Sequence, residues 1–184
     1  LQSHLQKNER ILIEGTQGFG LCLNHGDYPF VTSRDVTVSA LLNDVGISPK
    51  DFSKTIGVMR TYPIRVGGNS WSTHSLELTW EEIEQRSCSL KPLREYTTVT
   101  GRVRRIFEQD YTVLERAVMV NKPDALALMF IDYLCAQDYG KKQFCELSSL
   151  CLDYISSLEQ RFQIPVLFIG TGPYEDHIID RRNS

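Results

Sequence analysis

The stretch Ala125-Leu126-Ala127-Leu128-Met129-Phe130-Ile131 contains no polar side chain. That length suits a strand covered on both faces, which belongs in a sheet with helices on both sides. It ends at Asp132, a carboxylate at the C-terminal end of an expected strand. Other segments fit the same sheet. Ile56-Gly57-Val58-Met59 anchors a strand pattern over residues 53–65 closed by Pro63, and Pro165 to Ile169 reads as the last strand. Helical spacing alternates with these. Val38, Leu41, Leu42 and Val45 mark a helix over 37–45, and Thr79 caps another reaching Arg86, with Glu81 and Glu82 in its first turn. Asp110 or Thr112 starts a helix running to about Val120. Phe144, Leu147, Cys151, Tyr154 and Leu158 stripe a long helix over about 141–161. Strand–helix alternation predicts an α/β fold, a single domain over 1–184, with ligands along one rim of the sheet.

The most chemically suggestive turn is Glu14-Gly15-Thr16-Gln17-Gly18-Phe19-Gly20. Ile11-Leu12-Ile13 before it reads as a buried strand over 10–14, and the glycines let backbone N–H groups approach a ligand. Gln17 adds an amide able to read a base or sugar edge. Taken alone the segment is equally a plain strand-to-loop turn. It is neither a dinucleotide fingerprint nor a P-loop, because no Lys-Ser or Lys-Thr follows the last glycine. Residues 21–37 read as a loop. A second loaded stretch is Glu95 to Arg105, where Thr97, Thr98, Thr100 and Gly101 precede Arg102, Arg104 and Arg105. Hydroxyls beside arginines suit a carboxylate or phosphate, and equally describe a basic strand on a solvated face. Gly170-Thr171-Gly172-Pro173 forms a third tight turn.

Net charge of −3 and a pI near 5.8 argue against nucleic-acid binding by bulk electrostatics. No apolar run reaches the length of a membrane span, and the polar N-terminus lacks a signal-peptide core. The five cysteines (Cys22, Cys88, Cys135, Cys145, Cys151) are odd in number without metal-like spacing, so they are expected as reduced, mostly buried thiols of a cytoplasmic protein. The chain begins at Leu1 within a helix-end-like segment, as a cut through a longer protein or a processed product would.

The order of motifs resembles the adenylosuccinate synthetases. It is carried by Glu14-Gly15-Thr16-Gln17-Gly18, by His25-Gly26-Asp27-Tyr28-Pro29-Phe30-Val31-Thr32-Ser33, and by Arg65-Val66-Gly67-Gly68. Thr100-Gly101-Arg102-Val103-Arg104-Arg105 and Gly170-Thr171-Gly172-Pro173 follow in order. That family joins aspartate to C6 of a purine nucleotide, usually IMP, with GTP and Mg2+, through a 6-phosphoryl intermediate. The resemblance implies the C-terminal portion of a mixed, mostly parallel sheet flanked by helices, P-loop-NTPase-like in the complete fold. It implies acceptor-nucleotide contacts from Gln17, Thr32, Val66 and Arg102, and aspartate contacts from Val99, Thr100 and Arg102. Donor-nucleotide contacts fall to Arg104, Asp132, Gly170, Gly172 and Pro173, and the partners are these small molecules and a second subunit in a homodimer.

The family's phosphate-binding loop, general base, charge-stabilising histidine and Mg2+ ligands have no counterpart here. The expectation is therefore no catalytic or metal residue in this chain and no activity from it alone; His25 lies in the expected loop, in either a chemical or a turn-structuring role. Phe130 stands where the family commonly has lysine, Val103 for arginine, Val99 for threonine and Gly170 for serine. Phe130 and Thr32-Ser33-Arg34-Asp35 draw the chain toward phage-type members that act on dGMP, where ATP or dATP can be the donor. The alternative is a non-catalytic purine-nucleotide-binding or regulatory module.

Overall fold

The computed structural model describes residues 1–67 and 74–182. Gly68 of the third motif and the adjoining Asn69 lie outside the described residues. The chain divides into two compact units: Leu1–Thr55 with Val113–Lys122, and Ile56–Thr112 with Pro123–Ser184.

The larger unit holds a four-stranded sheet. β1 (Ile56–Arg60) pairs in parallel with β5 (Ala125–Met129), β5 with β6 (Val166–Gly170), and β6 in antiparallel with β7 (Ile178–Asp180). The sheet is thus mixed and mostly parallel, as the apolar run implied. β5 is central: Ala125 to Leu128 are all buried, and small and large side chains alternate along it. α5 (Ser149–Phe162) packs toward β6 through Cys151, Ile155 and Leu158.

Beside this, β2 (Ile64–Arg65), β4 (Arg105–Phe107) and β3 (Glu77–Leu78) form an antiparallel sheet in the order β2-β4-β3. Tyr62, Leu78, Ile106 and Tyr133 bury here together with Trp80 and Ile83 of α3 (Trp80–Ser87). The α3 cap is a reciprocal box. The Thr79 hydroxyl accepts from Glu82 N–H at 3.1 Å, while the Glu82 carboxylate accepts from Thr79 N–H at 2.6 Å.

The smaller unit carries α1 (Gln2–Gln6), α2 (Val38–Asp44) and the part of α4 (Tyr111–Asn121) from Val113 onward. Thr37 caps α2, and the Asn121 side-chain oxygen accepts from Val38 N–H at 2.9 Å.

Several expectations need correction. Residues 10–14 form no strand: Leu12 is 90% exposed, and no described segment completes a hydrogen-bond ladder with it. Residues after Lys141 do not enter a helix at once. The buried Asp138 carboxylate takes Lys141 Nζ at 2.6 Å and Ser148 Oγ at 2.7 Å, folding 141–147 into turns and leaving Ser148 to cap α5. β7 was not anticipated. The thiols are not mostly buried, since Cys88 and Cys145 are exposed and Cys135 half-buried; all five are free.

Candidate functional site

Because β1, β5 and β6 run parallel, their C-terminal ends share one rim. Arg60 ends β1, Phe130 to Asp132 follow β5, and Gly170 ends β6 with Thr171 to Pro173 following it. Phe130 adopts a left-handed φ of 63°, uncommon for a side chain of its size, and starts a 3-10 turn over Ile131–Tyr133. The Thr61 hydroxyl donates to Phe130 O at 2.7 Å and secures this turn. The Arg60 guanidinium lies 3.7 Å over the centre of the Phe130 ring and pairs with Glu95, which also accepts from the Tyr133 hydroxyl at 3.1 Å.

Asp132 is the anomalous group. Its Oδ1 is buried without a hydrogen-bond partner among the described residues. Burial pushes its carboxyl up to about 6, assisted by the charge of Glu95 and opposed by its own backbone N–H and by Arg60. An acceptor withdrawn from water and left unsatisfied costs stability unless a ligand completes it. In the neighbouring turn the glycines make room for the chain's own side chains. A Cβ on Gly170 would sit 2.5 Å from Met129 Cε, and Thr171 O accepts from Gly140 N–H at 2.9 Å.

The Thr97–Arg102 loop closes on itself. Thr97 N–H donates to Arg102 O at 2.9 Å, Arg102 N–H to Thr97 Oγ1 at 3.0 Å, and the Thr97 and Thr100 hydroxyls lie 2.5 Å apart. Gly101 turns the loop with a φ of +61°, where a Cβ would be strained. Val99 is 95% exposed at the tip, and the exposed Arg102 guanidinium has no partner among the described residues. The three bunched arginines have different surroundings. Arg105 is clamped by Glu77 at 2.7 and 2.5 Å, and Arg104 leans on Glu95 at 3.9 Å and on Tyr96 O. Val66 is half exposed at the end of β2.

In the smaller unit, Gln17 is exposed and holds a left-handed φ of 63°. Thr32 is brought near the same turn, since its N–H donates at 2.7 Å to Leu21 O, at the last residue of the 3-10 turn Phe19–Leu21. Gln17 and Thr32 thus sit on a loop rather than at strand ends, and Arg102 precedes β4; only Asp132 and the Gly170–Pro173 turn follow strands of the main sheet. Arg60 and Glu95 were missed by sequence reasoning. Arg60 could have been found as the basic residue directly after the apolar segment Ile56–Met59; Glu95 opens the second loaded stretch, but nothing local marks its partners.

A family model for adenylosuccinate synthetase matches residues 1–139. The chain belongs to the adenylosuccinate synthetase family. The adenylosuccinate synthetases of Thermococcus sibiricus and Methanocaldococcus jannaschii are each 38% identical to it over 180 residues, 98% of this chain but 51% and 50% of theirs. The chain thus spans about half the length of the curated relatives it matches. Among solved structures, a fully ligated adenylosuccinate synthetase from Plasmodium falciparum matches with a TM-score of 0.84 at 23% identity, over 98% of this chain and 52% of that one, which supports the fold. The cyanophage S-2L succinoaminodeoxyadenylate synthetase PurZ, bound to dGMP and to dATP as an energy donor, matches with a TM-score of 0.72 at 30% identity, over 91% and 45%.

Proposed function

We propose that residues 1–184 act as the nucleotide- and aspartate-binding part of a purine-biosynthetic ligase that joins aspartate to C6 of a purine nucleotide, IMP or dGMP. The observation that carries this is Asp132: a buried, unpartnered carboxylate oxygen on a strand rim beside a glycine-rich turn. Above its pKa the carboxylate accepts two hydrogen bonds side by side, matching the N1–H and 2-amino group of guanine. Gly170, Gly172 and Pro173 would border that base, with Arg104 toward the rest of the donor nucleotide. Arg102, whose guanidinium has no intramolecular partner among the described residues, would grip one aspartate carboxylate with Thr100 and the backbone at Val99 beside it. Gln17, Thr32, Val66 and Arg102 would hold the acceptor nucleotide.

An adenine donor, ATP or dATP, is the second reading. It is favoured by the Arg60–Phe130 stack beside Asp132 and by the dATP in the PurZ structure. Protonated Asp132 both donates and accepts, which suits the adenine edge.

The family's Mg2+ requires a set of oxygen ligands. The Cys22, His25 and Asp35 cluster among the described residues offers sulfur and nitrogen and does not fit it. No step through Mg2+ is assigned to these residues, and no residue here is assigned to phosphoryl transfer; the isolated chain is expected to be inactive. A cytoplasmic homodimer without nucleic-acid or membrane partners completes the proposal.

The test is nucleoside triphosphate binding by the chain and by Asp132→Asn at pH 7.5. Loss of a charge-assisted pair predicts weakening of guanine-nucleotide binding by about tenfold to a hundredfold. Equal affinity in both proteins would remove Asp132 from the role.

A further inference from the structure

We propose that Cys22, His25 and Asp35 form a binding site for a borderline divalent transition metal, with Zn2+ as its natural occupant. Three donors of different kind converge: a thiol sulfur, an imidazole nitrogen and a carboxylate oxygen, all within 4.8 Å of one another. Cys22 is fully buried and its Sγ lies 3.2 Å from Asp35 Oδ1. Sulfur and oxygen ligands sharing one tetrahedral zinc ion lie about 3.6 Å apart, so that pair is nearly at ligating separation. The His25 ring needs to approach by about 1 Å to complete the set.

Local structure explains the convergence. Gly26 N–H donates to Cys22 O at 2.7 Å, a tight turn that places the residues of Cys22-x-x-His25 on one side. Leu23 N–H donates to Arg34 O at 3.1 Å and draws Asp35 alongside. The His25 ring stacks on Phe19 with centroids 5.2 Å apart. Asn24 Nδ2 donates to Asp35 Oδ2 at 2.9 Å and holds the carboxylate from behind, while Thr37 N–H donates at 2.9 Å to Oδ1, the oxygen that also faces the Cys22 thiol. Oriented ligands whose other atoms are already hydrogen-bonded are what a metal site needs around it.

The donor set selects the ion. Thiolate and imidazole suit Zn2+ or Co2+, whereas Mg2+ and Ca2+ take oxygen. Three protein ligands leave the fourth tetrahedral position for water. On binding, the Cys22 S–H bond breaks, its proton goes to solvent, and a sulfur–metal bond forms, releasing one proton per ion without redox change. The ion would pin the loop between Gln17 and Thr32.

The test is a Co2+ titration of the metal-free chain, read by sulfur-to-cobalt charge-transfer absorption and by proton release. The expected result is a band saturating at one ion per chain, one proton released, and bleaching by Zn2+. The band persists in Cys88→Ser/Cys145→Ser, disappears in Cys22→Ser, and needs more Co2+ in Asp35→Asn, by more than the about 10–100-fold that loss of a supporting partner costs. No band with excess Co2+, a band that survives Cys22→Ser, or one abolished by Cys88→Ser/Cys145→Ser overturns the proposal. Should Cys22→Ser not fold, the unsubstituted chain decides: absence of stoichiometric proton release and of a Zn2+-induced rise in Tm overturns it.

Discussion

Asp132→Asn should stabilise the protein, and by an amount that depends on pH. In the folded chain burial holds the Asp132 carboxyl up to about 6, whereas the unfolded chain ionises near the ordinary aspartate value. The folded state therefore binds this proton more tightly, and stability falls as pH rises wherever the unfolded chain has already released it. Below pH ~4 both states are protonated and there is no penalty. Between about pH 4 and 6 the penalty grows, and above about 6 it is complete. A gap of about two pH units corresponds to roughly 3 kcal/mol. Asp132 keeps one edge toward solvent, so about 2–3 kcal/mol is expected. Asparagine is isosteric and does not titrate. Its Tm advantage over the parent should rise from near zero at pH 4 to about 5–10 °C at pH 7.5 for a chain of this size. Thermal melts of both proteins in a pH series read this directly. A Tm difference that does not change with pH would refute the argument that burial of a charge dominates at this position.

Other consequences are as direct. In the complete ligase, Arg102→Ala should raise the aspartate requirement by about tenfold to a hundredfold, from loss of a charge-assisted contact, measured as KM for aspartate; an unchanged KM would remove Arg102 from that role. Thr79→Ala removes one half of the α3 capping box and should cost about 1 kcal/mol in urea unfolding; a neutral result would mean the Glu82 carboxylate alone suffices.

The parts of the fold legible in the sequence were those governed by local rules. β5 declared itself because a strand covered on both faces tolerates no polar residue, the spacing of Val38, Leu41, Leu42 and Val45 declared α2, and Thr79 declared α3 because a hydroxyl must satisfy the first N–H groups. What stayed hidden depended on distant partners. Ile11-Leu12-Ile13 has strand composition, but a strand exists only with a neighbour, and Leu12 faces solvent. The start of α5 was displaced by Asp138, whose buried carboxylate gathers Lys141 and Ser148. At the candidate site, Asp132 and the Gly170–Pro173 turn were foreseen as neighbours on a rim and lie on it. The pairing that takes Arg105 out of the arginine cluster was also hidden, because Glu77 lies 28 residues from Arg105 in sequence and only the antiparallel pairing of β3 with β4 joins them. Glu95 and the Cys22–His25–Asp35 cluster are likewise products of chain reversal rather than of pattern.

The central claim is that these residues hold purine nucleotides and do not transfer phosphate. It is tested by titrating the 184-residue chain with IMP, dGMP, GTP, ATP and dATP, then adding aspartate and following phosphate release. The account predicts saturable binding of at least one monophosphate and one triphosphate, with no phosphate released. Failure of every purine nucleotide to bind, or turnover by the chain alone, would contradict it.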